Sequence, residues 1–341
     1  MLLFKRMNNT KKIFLVVFIL WMIATVYFFN DSKGTLSRRN THFAIEEPKK
    51  IDKIKISSPD KEITLVKESG HWKINDKYIA RQRIVDNFLM ALNRIQIASP
   101  ISENEKERIA TVLEKEGILV EIYRKNRTLR KYYVSTPAID NHNTYMMMAK
   151  RGDPIMVRIP SFKGLVAELF SIDESLWRDK TVFDYPPQNI KSIAAEYPGD
   201  SSKSFTVINY GDGTFALKQP YKNLFVEDFN AERVVRYFTY FQGIEFERVE
   251  KELSKQKTDS ILHSVPFCKI SVTNVDDFTN SITIYRKPPE KEFDEFGNKL
   301  SYDYNRAYAI FNQNNELIII QYYIFDPLLK EIDYFRWHKI Q

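Results

Sequence analysis

The chain has 341 residues, of which 43% are apolar, 28% charged and 14% aromatic, enough apolar content for packed interiors and too much for global disorder. Ten glycines and a single cysteine argue against folds that spend glycine on phosphate loops, and exclude internal disulfides and cysteine-rich metal clusters. Four of the 51 bases and none of the 44 acids precede the first apolar run, so the remainder is nearly neutral and offers nucleic acid no electrostatic footprint.

Residues 1–12 carry Lys5, Arg6, Lys11 and Lys12 without an acid, which predicts a cytoplasmic N-terminus. Ile13–Phe29 then runs without charge, proline or glycine, with only Thr25 polar. As a helix it reaches about 26 Å, enough to cross a bilayer core. Trp21 and Tyr27 are interface-favouring aromatics. A cleaved signal peptide is the competing reading. The run is longer than a usual signal core, however, and ends in Tyr27-Phe28-Phe29, where a peptidase needs small residues. The expectation is a single-pass signal anchor in the inner membrane, with the bulk of the chain in the periplasm. Residues 30–50, with Ser32-Lys33-Gly34, Arg38-Arg39 and Pro48, read as a tether.

From Ile51 the pattern changes to short strands. Ile51, Ile54 and Ile56 open one, Pro59-Asp60 turns it into Ile63-x-Leu65, and Glu68-Ser69-Gly70 turns again into His71-Trp72-Lys73-Ile74. Ala80 to Ile97 spaces Ile84, Val85, Phe88, Leu89, Leu92 and Ile95 as one face of a helix that Ser99-Pro100 ends. Val120–Tyr123 and Lys131–Val134 form a predicted hairpin, followed by strands at Tyr145–Ala149 and Ile155–Ile159 and a short helix around Gly164–Phe170.

A second pass begins at Ile190 and repeats this order. Pro198 matches Pro59, Gly213-x-Phe215 matches Gly70-x-Trp72, and Arg233-Val234-Val235-x-x-Phe238 matches Arg83-Ile84-Val85-x-x-Phe88. Asn230 caps the second helix, Ile270–Val272 pairs with Ile282–Tyr285, Tyr308–Phe311 precedes Leu317–Ile320, and a short helix closes around Pro327–Ile332. The fold expected is α+β: two tandem related modules, residues 51–183 and 189–341. Each is a largely antiparallel sheet with one main amphipathic helix and a short closing helix.

No pair among His42, His71, His142, His263 and His338 has metal-ligand spacing, and no Gly-x-Ser-x-Gly elbow is present. Cys268 enters an apolar strand and reads as a small buried hydrophobe. No catalytic, cofactor or metal residue is therefore assigned. The recurrent pattern left for binding is an aromatic-basic closure of each module: Trp177 with Arg178, and Arg336 with Trp337. A planar face beside a cation suits carbohydrate, lipid headgroup or protein. The competing reading has each tryptophan plug the end of its core, with the charges pointing outward.

Ile54-Lys55-Ile56 through Ile63–Lys67, Gly70–Ile74, the Ala80–Leu92 helix and the junction Leu176-Trp177-Arg178-Asp179-Lys180-Thr181-Val182-Phe183 also carry a likeness. Over most of residues 51–250 the chain resembles the uncharacterised bacterial domain-of-unknown-function family numbered forty-three-forty, although Trp177 interrupts that family's Leu-Arg pair. The resemblance implies a membrane-anchored protein often encoded beside ABC-type export systems, including gliding-motility-like ones, and carries over no catalytic residue. The leading expectation is thus a non-enzymatic, anchored accessory or interaction component of an envelope transport complex, with a transporter permease or similar membrane protein as partner. The alternative is a ligand-binding or sensory module that regulates a membrane kinase or transporter. An envelope hydrolase ranks third.

Overall fold

The computed structural model describes residues 17–25, 42–150, 152–312 and 316–337. Residues 17–25 form a helix, α1, with Val17, Phe18, Leu20, Trp21 and Ile23 exposed. Among the described residues no helix is long and apolar enough to cross a membrane. The basic segment 1–12, both flanks of α1 within 13–29, and residues 30–41 of the expected tether lie outside the described residues. The chain divides into two compact units, residues 1–179 and 180–341, each α+β with one large antiparallel sheet.

The first unit contains β1 (Lys53–Ser57), β2 (Glu62–Glu68), β3 (His71–Ile74), β4 (Tyr78–Ile79), β5 (Gln96–Pro100), β6 (Ile118–Arg124), β7 (Arg127–Val134), β8 (Thr144–Met148) and β9 (Ile155–Arg158). Their order is β4-β3-β2-β1-β6-β7-β8-β9-β5. Alternation decides which face is dry: in β1, Ile54 and Ile56 are buried while Lys53, Lys55 and Ser57 take the other side. Ile54 stands opposite Leu65 on one neighbour and Ile122 on the other, so the apolar rows meet across strands. Helix α2 (Gln82–Arg94) covers this face with Val85, Phe88, Leu89 and Leu92, spaced i, i+3, i+4, i+7. Beyond Arg94 the backbone extends at Ile95, and the chain enters edge strand β5. Gln96 and Ile97, the tail of the expected helix, are thus strand. Helix α3 (Glu103–Glu116) covers part of the opposite face, packing Ile109 and Leu113 on Met147. The short α4 (Glu174–Trp177) closes the unit.

The second unit holds β10 (Thr181–Phe183), β11 (Ile190–Glu196), β12 (Phe205–Asn209), β13 (Phe215–Gln219), β14 (Leu224–Val226), β15 (Ile244–Glu245), β16 (Arg248–Val249), β17 (Cys268–Asn274), β18 (Thr279–Arg286), β19 (Arg306–Phe311) and β20 (Ile318–Gln321). Its large sheet runs β14-β13-β12-β11-β17-β18-β19-β20-β16, the first order repeated strand for strand. Helix α5 (Ala231–Phe238) buries Val234, Tyr237 and Phe238, and the Asn230 carboxamide oxygen caps it by accepting the Arg233 N–H at 3.1 Å. Helix α6 (Lys255–Leu262) stands where α3 does, its Ile261 and Leu262 against the small cluster of Tyr285, Tyr308, Leu317 and Ile319. Among the described residues the unit closes with α7 (Tyr322–Phe325) and a 3-10 turn over Ile332–Phe335 rather than a helix at 327–332.

The repeat also fixes where each module starts. Phe43 is buried against Tyr132, and the Ile45 N–H donates to the Leu92 carbonyl at 3.1 Å. In the second unit Phe183 packs on Phe241, and the Tyr185 N–H donates to the Phe241 carbonyl at 2.8 Å. Residues 42–50 are therefore the opening segment of the first module and not tether. Thr181–Phe183, assigned by the sequence to the end of the first module, opens the second.

Candidate functional site

The repeat dictates what the aromatic-basic closures do. Trp177 is 2% exposed. Its ring meets Phe88 edge-on at 5.1 Å, its indole N–H donates to the Ser171 carbonyl at 2.9 Å, and its own carbonyl accepts the Arg81 N–H ahead of α2 at 2.7 Å. In the second unit the residue with these contacts is Phe335. Its carbonyl accepts the Asn230 N–H ahead of α5 at 2.7 Å, and its ring meets Tyr237 at 5.4 Å and 83°. Trp177 thus corresponds to Phe335, two residues before Trp337, and both are core plugs with no planar face to offer.

The same hydrogen bonds shift the helix correspondence by one residue. Val85 matches Val234, Phe88 matches Tyr237 and Leu92 matches Phe241, leaving Val235 exposed. The sequence match followed residue identity, whereas the helix phase follows burial. Of the remaining candidates, Arg178 is half-buried with its guanidinium over the Tyr78 ring at 3.8 Å. Arg336 is exposed and pairs with Asp333 at 3.2 Å, and Trp337 is 57% exposed. Each pair belongs to its own unit.

The other reactive groups are accounted for by packing and loop chemistry. Cys268 is fully buried in the second core, where burial pushes its thiol up to about 12, far from a nucleophile's range. Burial alone would raise the Asp140 carboxyl, but the N–H groups of His142 and Asn143 donate to it and hold it down at about 2. His142 itself is exposed, as are His71 and His263; His338 lies outside the described residues. Among the described residues no three His, Cys, Asp or Glu converge to hold a metal.

A concave site does exist in the second unit, and it is made where the second copy departs from the first. The register equates Tyr197, Phe267 and Arg286 with Ser58, Gly117 and Thr136. The hairpin between β11 and β12 is longer than its counterpart and carries Asp200 and Lys203, while the link after α6 presents Val265 and Phe267. These residues line a cleft of about 410 Å³. The Arg286 guanidinium lies over the Phe267 ring at 4.7 Å and the Tyr302 ring at 4.3 Å. No carboxylate among the described residues comes within ion-pair distance of it. Lys203 pairs with Glu331 at 2.7 Å, and that hydrogen bond raises the Lys203 ammonium above its ordinary value.

The arrangement sets the Arg286 guanidinium, outside ion-pair range of any described carboxylate, beside an apolar floor of Tyr197 and Phe267, with Asp200 and the Lys203–Glu331 pair also lining the cleft. Chemically it suits an anion with an apolar flank and holds no nucleophile–base pair. Sequence reading missed it, although aligning the two copies on Pro59 and Pro198 already sets Tyr197 against Ser58.

No family model, curated protein or solved structure matches the chain.

Proposed function

We infer that this is a non-enzymatic, single-pass anchored protein of the inner membrane that presents two related α+β modules in the periplasm as an accessory component of a membrane complex. The observation that carries this is α1. Its consecutive side chains from Val17 to Ile23 are exposed, a row of apolar surface that water leaves unsatisfied and lipid does not. The row lies inside the charge-free run Ile13–Phe29, a stretch whose number of residues is the one a helix needs to cross a bilayer core. The contact-making role is supported by the repeat, in which the recurrent aromatic positions serve packing and the two copies differ at their surfaces. An ABC-type exporter as the partner rests on the family resemblance alone. Purification of the full chain in mild detergent is the test. Stoichiometric retention of a polytopic membrane protein supports the reading, and recovery as a lone monomer contradicts it.

The Arg286 cleft favours a second reading, in which the second module also senses a small anionic ligand. Titration of the intact chain with benzoate, a carboxylate on an apolar ring, is expected to saturate and to lose its signal in Arg286→Ala. Equal behaviour of the two proteins would remove this reading.

A further inference from the structure

The two copies of the sheet carry opposite charge at the same end. Because the strands are antiparallel, one end of the first sheet collects the 3-10 turn Pro48–Lys50, the β2–β3 turn, the β6–β7 turn and the β8–β9 link. The β6–β7 hairpin contributes Arg124, Lys125, Arg127, Arg130 and Lys131 without an acid between them. Bases outnumber acids at this end, and most of the acids already have a basic partner. Glu47 is shared by Lys50 and Arg124, Glu68 pairs with Lys73, Glu121 pairs with Lys131, and Lys106 is shared by Glu103 and Asp153, while Glu46 lies beside the His42 ring and Asp52 accepts the Lys125 backbone N–H. Lys49, Lys53, Lys67, Lys125, Arg127 and Lys150 are left with no carboxylate among the described residues in ion-pair range. At the matching end of the second sheet stand Asp212, Asp276 and Asp277, with Lys191 paired to Asp277 and with Tyr210, Val275 and Phe278 exposed. The shared scaffold works with either sign, so packing does not require the basic end.

That basic end is also where the chain arrives from α1. His42 lies in a groove of about 750 Å³ with Arg130, Lys150 and the Lys131–Glu121 pair, and its carbonyl accepts the Arg130 Nε–H at 3.0 Å. Only residues 26–41 separate it from α1, a segment that reaches at most about 55 Å when fully extended.

We propose that this end of the first module docks on the anionic phospholipid surface of the membrane that holds the anchor. The proposal rests on the anchored reading. An anionic leaflet attracts basic groups lying within about a Debye length, strengthening association roughly fivefold per Lys or Arg. The linker confines the module to the neighbourhood of the membrane and so raises the effective concentration at which that attraction acts. The acidic end of the second module gains nothing from the same surface.

The test uses the full chain in vesicles of phosphatidylcholine alone, or with a third phosphatidylglycerol, both containing spin-labelled headgroups. A fluorophore is placed at Thr128→Cys on the basic hairpin or at Asp276→Cys on the acidic one; native Cys268 is buried and does not compete. The Thr128 label is expected to be quenched in the anionic vesicles only, and released by high salt. The pair Lys125→Glu and Arg127→Glu is expected to lower the docked-to-free ratio at least about 25-fold, with the Asp276 label unquenched throughout. Quenching that ignores lipid charge, or survives both salt and charge reversal, overturns the proposal. Flotation with the neutral vesicles after a salt wash tests the anchor separately. A chain that floats there but shows no charge-dependent quenching keeps its anchor and loses this docking face. One that floats only with anionic vesicles loses the anchor, while salt-sensitive quenching of its Thr128 label still upholds the basic face.

Discussion

Replacing Trp177 by alanine tests the claim that the aromatic closures are core plugs. A tryptophan this deeply buried removes about 200 Å² from water, worth about 5 kcal/mol at 25 cal/mol per Å². Alanine keeps a small part of that, and partial collapse around Phe88 and Phe170 recovers some more. The Ser171 carbonyl, however, loses its donor at a cost of about 1 kcal/mol. The expected loss is about 4 kcal/mol, within the range measured for Trp→Ala in cores, and Phe335→Ala should match it in the second unit. Trp337→Ala, on a side chain more than half in water already, is expected to cost at most about 1–2 kcal/mol. Urea denaturation followed by far-UV circular dichroism reads these values as midpoint shifts, about 2 M for the buried positions at a slope near 2 kcal/mol per M. A Trp177→Ala protein within about 1 kcal/mol of the parent, or a Trp337→Ala protein destabilised just as much, would refute the assignment.

The Cys268 thiol, raised by burial to about 12, should react with a maleimide at pH 8 at least 100-fold more slowly in the folded chain than in urea; equal rates would contradict its burial. Asp140 has a folded-state pKa depressed to about 2 against about 3.9 unfolded. Its contribution is therefore fully present above pH 4 and lost as the pH falls through 2. The stability gap between the parent and Asp140→Asn should close over that window, and a gap independent of pH would count against the N–H cage. Lys287 and Asp303 form a buried ion pair at 2.9 Å at the base of the link from β18 to β19. Lys287→Met, which strands the carboxylate, should cost about 3 kcal/mol, and adding Asp303→Leu should restore much of it; no recovery in the double variant would rule out a stranded charge as the cause.

How far the sequence could be read depended on the physical signal each feature leaves. Strand alternation at Ile54-x-Ile56 and the helical face of Val85, Phe88, Leu89 and Leu92 are strong periodic patterns, and through them the antiparallel α+β repeat was legible. Helices α3 and α6 were not. The first buries only Ile109 and Leu113, and the second no residue fully, amid charges, a stripe too narrow to stand out. The module starts were hidden for a different reason: Phe43 and Phe183 anchor short segments whose partners, Tyr132 and Phe241, are tens of residues away. The Arg286 cleft draws on positions 197, 203, 267, 286 and 302, brought together only by strand register. Within the closures, matching Trp with Trp led to Trp337, while the carbonyl bonded to the helix start belongs to Phe335.

The central claim is that a lipid-embedded stem carries both modules outside the cytoplasm, and accessibility of engineered thiols to a membrane-impermeant maleimide tests it most directly. With the inner membrane intact, Asp276→Cys and Thr128→Cys should label at once and Asn8→Cys only after the membrane is opened. Labelling of Asn8→Cys alone, or protection of both module positions until lysis, would contradict it.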